Sequence, residues 1–307
     1  MSVRRRDKKD SMKSSVRSQY ENWPFPGTDI RSREWLLLLR RIDKIINEGG
    51  EPDSRFIDVG CGTGHTILAL ARIFKKTQFW GIDFSNNSIE RARGLVSKYH
   101  TNNVTFKKID IMSGRLRELG KFRIVYCAGV LHHIKNTDRA FTQIANLVEP
   151  DGYLIFWLYG KHGRARHRLN QQFLKRLEPG LSPAKSVDLV REFARQFKDR
   201  ITSDGGFYTP EGSGSAGLQW MLKHPHWLID QMLPGYENTF DLGDIFKLLD
   251  NNGMVFHNWL GISDSIVSYT SSKLIQERFS MLKGRERLLT IECLIKPEYY
   301  FIVARKA

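Results

Sequence analysis

Apolar residues fall into two rhythms along this chain. Short, nearly unbroken apolar runs occur at Arg55 to Val59 (RFIDV), Gln78 to Ile82, Val104 to Ile109, Phe122 to Cys127 (FRIVYC) and Tyr153 to Tyr159. Runs of that length predict strands buried on both faces of a parallel sheet. Between them, apolar positions three and four apart predict helices. One starts at His65, with Ile67, Leu68, Leu70, Ile73 and Phe74. A second spans Asn87 to Tyr99 behind Ser85 or Asn86 as cap, with Ile89, Ala92, Leu95 and Val96 inward. A third spans Thr137 to Val148 and is stopped by a turn at Pro150-Asp151-Gly152. Ahead of these, Thr28 or Asp29 caps an expected helix to Asn47, and the prolines of Tyr20 to Gly27 predict an extended stretch. Strand and helix in alternation predict an α/β fold.

The alternation breaks after Gly160 and resumes near Phe240. Residues 161–240 hold a basic start (KHGRARHRL), helical stretches near Leu169 to Leu177 and Ser186 to Phe197, a loop with five glycines (SDGGFYTPEGSGSAG) and an aromatic run. So many glycines predict a loosely packed loop, suited to a lid. The expected organisation is a basic, disordered arm at 1–18, a nucleotide-type core at 19–160, an inserted cap over the acceptor at 161–240, and completion of the core at 241–307. In that last part Leu242 to Asp250 is helical, Met254 to Leu260 a strand, Ser272 to Leu289 one or two helices, and Pro297 to Ala304 a final strand.

Polar residues interrupt the apolar runs at their ends. The first strand carries Asp58 and is followed by Gly60, Gly62 and Gly64, which permit a sharp turn and close approach of a ligand. The second ends on Asp83, placed where an acid can hold both ribose hydroxyls. The third ends on Asp110. A strand, a glycine turn and a helix with free N–H groups make a nucleotide-type cradle.

The words DVGCGTG, GIDFS and YCAGVLHHI, with the strand-end Asp110, resemble the class I S-adenosylmethionine-dependent methyltransferases over roughly Tyr20 to Tyr159. The resemblance implies a Rossmann-like seven-stranded sheet, mostly parallel with the last strand antiparallel, helices on both faces, and S-adenosyl-L-methionine as cofactor. It implies that Asp58, Gly60, Cys61, Gly62, Thr63 and Gly64 cradle the methionine end, that Asp83 with Phe84 and Ser85 holds the ribose, that Asp110 and Ile111 face adenine, and that Ala128 and Gly129 line the donor. It further implies that Tyr20 closes over the cofactor. The spacing GCGTG is one residue short of the GxGxxG usual in nicotinamide dehydrogenases.

His132 and His133 follow the fourth strand at the ligand-binding edge and are the candidate catalytic bases; either can equally be a packed core histidine. Tyr159, Arg164, Tyr208, His224, Trp227 and Tyr236 are the candidate substrate residues. No metal is expected, since neither HPH at 224–226 nor the His pair has ligand spacing. The leading expectation is methyl transfer to an O or N nucleophile of a small-molecule acceptor, anionic or aromatic. The formal charge of +15 and seven basic residues among the first 17 raise an RNA methyltransferase as an alternative, with nucleic acid bound through the arm, although no NPPY word is present. A non-catalytic S-adenosylmethionine-binding protein is the second alternative. Three cysteines without a CxxC point to a reducing compartment, the cytoplasm, and no apolar run is long enough to span a membrane.

Overall fold

A computed structural model describes residues 16–22, 24–25, 54–177, 179 and 186–307. Residues 1–15 of the basic arm and the helix expected up to Asn47 lie outside the described residues. Residues 16–22 form a helix, α1, where an extended stretch was expected at its end. Pro24 and Pro26 restrict only the residue before each, which leaves VRSQYEN free to coil.

Seven strands form one sheet: β1 (Arg55–Val59), β2 (Gln78–Asp83), β3 (Val104–Lys108), β4 (Phe122–Ala128), β5 (Val148–Tyr159), β6 (Met254–Trp259) and β7 (Tyr299–Lys306). Their spatial order is β3-β2-β1-β4-β5-β7-β6. Strands β1 to β5 pair in parallel, and β7 runs antiparallel to both β5 and β6. The apolar runs are continuous because consecutive side chains feed opposite cores. Ile57 and Val59 join one buried cluster with Leu154, Phe156 and Ile302, while Phe56 joins another with Phe79, Ile155 and Phe301.

Helices α2 (His65–Ile73), α3 (Asn86–Tyr99) and α4 (Thr137–Ala145) connect the parallel strands. Ser85 caps α3, its hydroxyl accepting from the Ser88 N–H. One turn was misread. Pro150-Asp151-Gly152 lies inside β5 rather than ahead of it, and the β4–β5 register jumps there, from Phe122 opposite Val148 to Ile124 opposite Tyr153. Asp151, at φ 60, absorbs the extra residues as an irregular bulge.

Among the described residues, five helices separate β5 from the returning core: α5 (Ala165–Leu177), α6 (Val187–Gln196), α7 (Lys198–Asp204), α8 (Ser215–Lys223) and α9 (Pro225–Met232). They bury a cluster of their own, including Val190, Ile201, Phe207, Met221, Trp227 and Ile229. The glycine loop between α7 and α8 is packed, against expectation: Phe207 and Thr209 are buried, and a Cβ on Gly217 would stand 1.9 Å from the Gly212 carbonyl oxygen. Gly206 and, in the first turn of α8, Gly217 serve close backbone approach, whereas Gly212 and Gly214 stand in open space. Then α10 (Leu242–Asp250), opened by an Asp241–Asp244 capping box, α11 (Lys273–Ser280) and α12 (Arg285–Ile295) complete the chain.

Candidate active site

The strand order reverses between β1 and β4, and in such sheets ligands bind at the carboxyl ends of the strands flanking that point. After β1 the chain passes through Gly60, Gly62 and Gly64 at φ 81, 52 and 79. These values suit glycine, and two of the positions also have no room. A Cβ on Gly60 would meet Val130 Cγ2 at 2.3 Å, which ties this turn to the loop after β4, and one on Gly64 would meet Phe106 Cζ at 2.5 Å. Gly64→Ala is therefore expected to lower stability by at least the roughly 1–3 kcal/mol of a residue forced into left-handed backbone, read as a lower urea midpoint.

Asp83 closes β2 and is buried. Its Oδ2 accepts from the Gly62 N–H at 3.0 Å and its Oδ1 from the Ser85 N–H at 2.8 Å. Burial pushes its carboxyl up to about 6, against the pull of those N–H donors. Asp58, also buried, is raised by burial and by Asp83. Asp110 caps the turn after β3, its Oδ1 accepting from the Met112 N–H at 2.8 Å. Gly129, at φ 74, has open space where a Cβ would be.

Residues 16–22 and 24–25 lie across this edge, where only Tyr20 among them was expected. The Glu21 carboxylate accepts from the Asn86 N–H (3.1 Å), the Asn87 N–H (3.3 Å) and the Ser85 hydroxyl (3.1 Å), so it sits on the start of α3. Those backbone donors hold its carboxyl below the ordinary range despite partial desolvation. The Phe25 carbonyl accepts from the Thr63 N–H at 3.1 Å, and its ring packs on Trp227 at 4.4 Å. Arg17 stacks over Phe84 at 5.7 Å and stands 3.9 Å from Asp110. Tyr20 lies between two sides: its ring is 6.3 Å from Phe84 and 5.8 Å from His133, and its hydroxyl donates to Asp230 Oδ1 at 2.7 Å.

The two histidines differ. The His133 Nδ1–H donates to the Tyr236 carbonyl at 2.7 Å, which leaves Nε2 as the lone-pair nitrogen of the neutral ring, 3.8 Å from Asp230 Oδ1. His132 has no exposure, is wedged against His133 (4.2 Å) and Tyr159 (4.0 Å), and neither ring nitrogen has a partner in hydrogen-bond geometry. Burial, with His133 and Arg164 nearby, drives its pKa well below 6.5, and the Trp157 backbone opposes this only weakly. It is a neutral, packed ring.

Behind them runs a buried polar network. Gln231 Nε2 donates to the Tyr159 hydroxyl (2.6 Å) and Asp230 Oδ2 (2.9 Å), and its Oε1 accepts from Arg164 (3.2 Å) and the Tyr208 N–H (2.9 Å). Arg164 forks onto Glu237 at 3.2 and 2.8 Å and also donates to the Gly206 carbonyl.

A family model described as a methyltransferase domain matches residues 51–189. The chain is 28% identical over 161 residues to a ubiquinone biosynthesis O-methyltransferase of Neisseria meningitidis, covering 50% of this chain and 66% of that one. It is 25% identical over 256 residues to phosphoethanolamine N-methyltransferase 2 of Caenorhabditis elegans, covering 76% and 55%. An uncharacterized protein of Synechococcus sp. is 23% identical over 315 residues, covering 94% and 70%. In fold, PKMT2 from Rickettsia typhi superposes with a TM-score of 0.65 at 15% identity, covering 82% of this chain, which spans 49% of that protein. The matched segment, residues 51–189, belongs to the class I S-adenosylmethionine-dependent methyltransferase superfamily.

The superfamily's donor, S-adenosyl-L-methionine, suits the residues present in this methyltransferase. Each Asp83 oxygen accepts one backbone N–H and keeps a lone pair for a hydroxyl, and the space beside Gly129 adjoins the turn through Val130. Cys61 serves as packing: it is buried, burial raises its thiol pKa, and its Sγ leans on the Gly62 carbonyl at 3.6 Å. Ile111 is buried beside Asp110, and Ala128 ends β4 at this edge.

The expected substrate residues of the methyltransferase divide. Tyr236 reaches the edge through the carbonyl on His133, and Tyr208 stands 5.4 Å from Trp157 and 5.5 Å from Tyr299. Tyr159 is buried in the polar network, with burial raising its pKa, and Arg164 lies 3.5 Å over its ring. Arg164, a candidate substrate residue, is instead fully buried on Glu237 and not presented to an acceptor. His224 stacks on Trp220 at 3.9 Å and donates to that residue's carbonyl, and Trp227 is buried against Phe25; both pack within the helical segment after β5. Among the described residues no group of three ligating side chains could hold a metal, and no helix is long and apolar enough to cross a membrane.

Proposed function

We propose that this methyltransferase moves a methyl group from S-adenosyl-L-methionine to an oxygen or nitrogen nucleophile of a small-molecule acceptor, held between the carboxyl edge of β4 and β5 and the helical segment 161–240. The observation that carries this reading is Tyr20, whose ring touches Phe84 on the donor side and His133 on the acceptor side. A base therefore stands one ring's width from the cofactor residues. The names of the Neisseria and Caenorhabditis relatives, both methyltransferases of small molecules, support the acceptor class.

In this reading Asp83 takes the ribose hydroxyls with Phe84 and Ser85 beside it, Asp110 and Ile111 take adenine, and the turn from Asp58 to Gly64 with Ala128 and Gly129 takes the methionine end. When bound, the sulfonium supplies an already activated methyl group. The protein's contribution is alignment and exclusion of water, and alignment is worth up to about 7–11 kcal/mol. His133 Nε2 accepts the proton of the nucleophile. Its Nδ1–H on the Tyr236 carbonyl fixes the tautomer, and the resulting imidazolium faces Asp230.

His133→Ala is expected to slow methyl transfer by on the order of 10²–10⁴-fold. S-adenosylhomocysteine binding, measured by calorimetry, should stay within about twofold. A rate equal to wild type would remove His133 from the chemistry, and no heat with S-adenosylhomocysteine would remove the enzyme reading. Donor binding without labelled product in any metabolite pool would favour a non-catalytic binder instead.

A further inference from the structure

Charge at the acceptor edge decides between the nucleophiles left open above. Of the four basic residues just past β5 that could greet an anionic acceptor, Arg166 is exposed and the other three are engaged elsewhere. Lys161 pairs with Asp241 at 2.8 Å, Arg164 forks onto Glu237, and Arg168 donates to the Thr239 hydroxyl at 2.9 Å. The carboxylate of Asp230, also buried, has no Lys or Arg in direct contact among the described residues; Arg164 acts on it only at longer range, beyond Gln231. Its hydrogen-bond donors are neutral: Tyr20 at 2.7 Å, Gln231 at 2.9 Å and Gln19 at a long 3.4 Å. Among the described residues its one ion-pair partner within 4.0 Å is His133 Nε2, charged only when that ring holds a proton. Burying a carboxylate beside neutral donors is costly unless a cation arrives to share the space.

We infer that the acceptor is a small-molecule amine, whose ammonium is read by Asp230 and whose proton passes to His133; the inference rests on the methyl-transfer reading above. An ammonium brings a charge and three donors, and takes the place of the weak Gln19 bond. Its position between Asp230 Oδ1 and His133 Nε2 puts one N–H on each. The step balances as follows. R–NH₃⁺ gives one proton to His133 Nε2, and the freed nitrogen lone pair forms the N–C bond to the methyl as the S–C bond breaks. The bonding pair returns to sulfur, and the products are the N-methylammonium and S-adenosylhomocysteine. An anionic oxygen nucleophile would instead face the Asp230 charge.

The test uses the full chain saturated with S-adenosylhomocysteine, titrated by calorimetry with dimethylammonium and N-methylbenzylammonium and with their neutral counterparts 2-propanol and benzyl methyl ether. The expected result is at least tenfold tighter binding of each ammonium than of its neutral counterpart. Asp230→Asn should abolish that preference while S-adenosylhomocysteine affinity holds within twofold. Tyr20→Phe, which frees Oδ1 and keeps the charge, should tighten ammonium binding, and it carries the test if Asp230→Asn does not fold. Ammonium ions bound no better than the neutral probes, a preference that survives in Asp230→Asn, or unchanged ammonium binding in Tyr20→Phe would overturn the amine assignment and leave methyl transfer standing. Failure to bind S-adenosylhomocysteine would overturn both.

Discussion

Asp83→Ala is expected to weaken S-adenosylhomocysteine binding by about a hundredfold. Two hydroxyls bonded to a charged acceptor are lost, at about 1.5–3 kcal/mol for each such bond, and part of the loss is recovered by water entering the gap. The same variant releases the N–H groups of Gly62 and Ser85, so the glycine turn loosens as well. Calorimetry at neutral pH reads the affinity, and an unchanged value would refute the ribose role. The acid also has a pH signature, because burial raises its folded pKa from 3.8 to about 6. A raised carboxyl pKa means the folded, empty protein holds its proton more tightly than the unfolded chain does. Folding stability therefore rises as pH falls from about 6 towards 4, on the order of 3 kcal/mol for this group alone. Donor affinity runs the other way, since only the carboxylate accepts from both hydroxyls, and it falls over the same window. Glu21 and Asp58 lie within electrostatic reach of Asp83 and shift in opposite directions: backbone N–H donors hold Glu21 below its ordinary range against desolvation, and burial raises Asp58. Asp83→Asn removes the Asp83 share of both slopes and so separates it from theirs.

The proposed donor half of this site could be laid out from sequence because its elements are local. A strand, its terminal acid, a glycine turn and a capped helix are contiguous, and each is dictated by short-range chemistry: positive φ at Gly60, Gly62 and Gly64, and the Ser85 hydroxyl on the Ser88 N–H. The acceptor half is assembled over long separations. Asp230 meets Tyr20 across 210 positions, Arg164 meets Glu237 across 73, and His133 meets Tyr236 across 103. Of these residues only His133 stands in a motif, so sequence pattern offered Arg164 as a free cation and could not offer Asp230, Gln231 or Glu237 at all. Glu21 was hidden for a different reason. It follows a basic stretch and precedes two prolines, and its role depends on where the backbone carries it, onto the start of α3. The glycine-rich loop misled because composition cannot tell a glycine that frees the chain from one that admits a neighbour, as at Gly217.

Glu237→Gln is expected to cost about 3–5 kcal/mol of folding stability, the range found when one member of a buried pair is removed and the other charge is left uncompensated. Arg164 and Glu237 expose 1% and 3% of their side chains, so water cannot stand in for the lost partner. Arg164 also lies over the Tyr159 ring and bonds Gln231. The pair is not the most stable way to fill that space, and Arg164→Met with Glu237→Leu should recover most of the loss in urea unfolding at pH 7. The pH dependence supplies an independent check. Arg164 holds the Glu237 carboxyl below its ordinary 4.5 against the opposing effect of burial. A depressed carboxyl pKa contributes stability that is fully present above 4.5 and is lost as pH falls through the lower folded value. Wild type should show that acid loss, and the apolar double variant should lack it. The double variant also separates stability from function. With Arg164 gone, Gln231 Oε1 keeps only the Tyr208 N–H, its hold on the Tyr159 hydroxyl and Asp230 loosens, and acceptor turnover should fall while S-adenosylhomocysteine binding persists. Turnover unchanged in a stably folded double variant would restrict the network to a packing role.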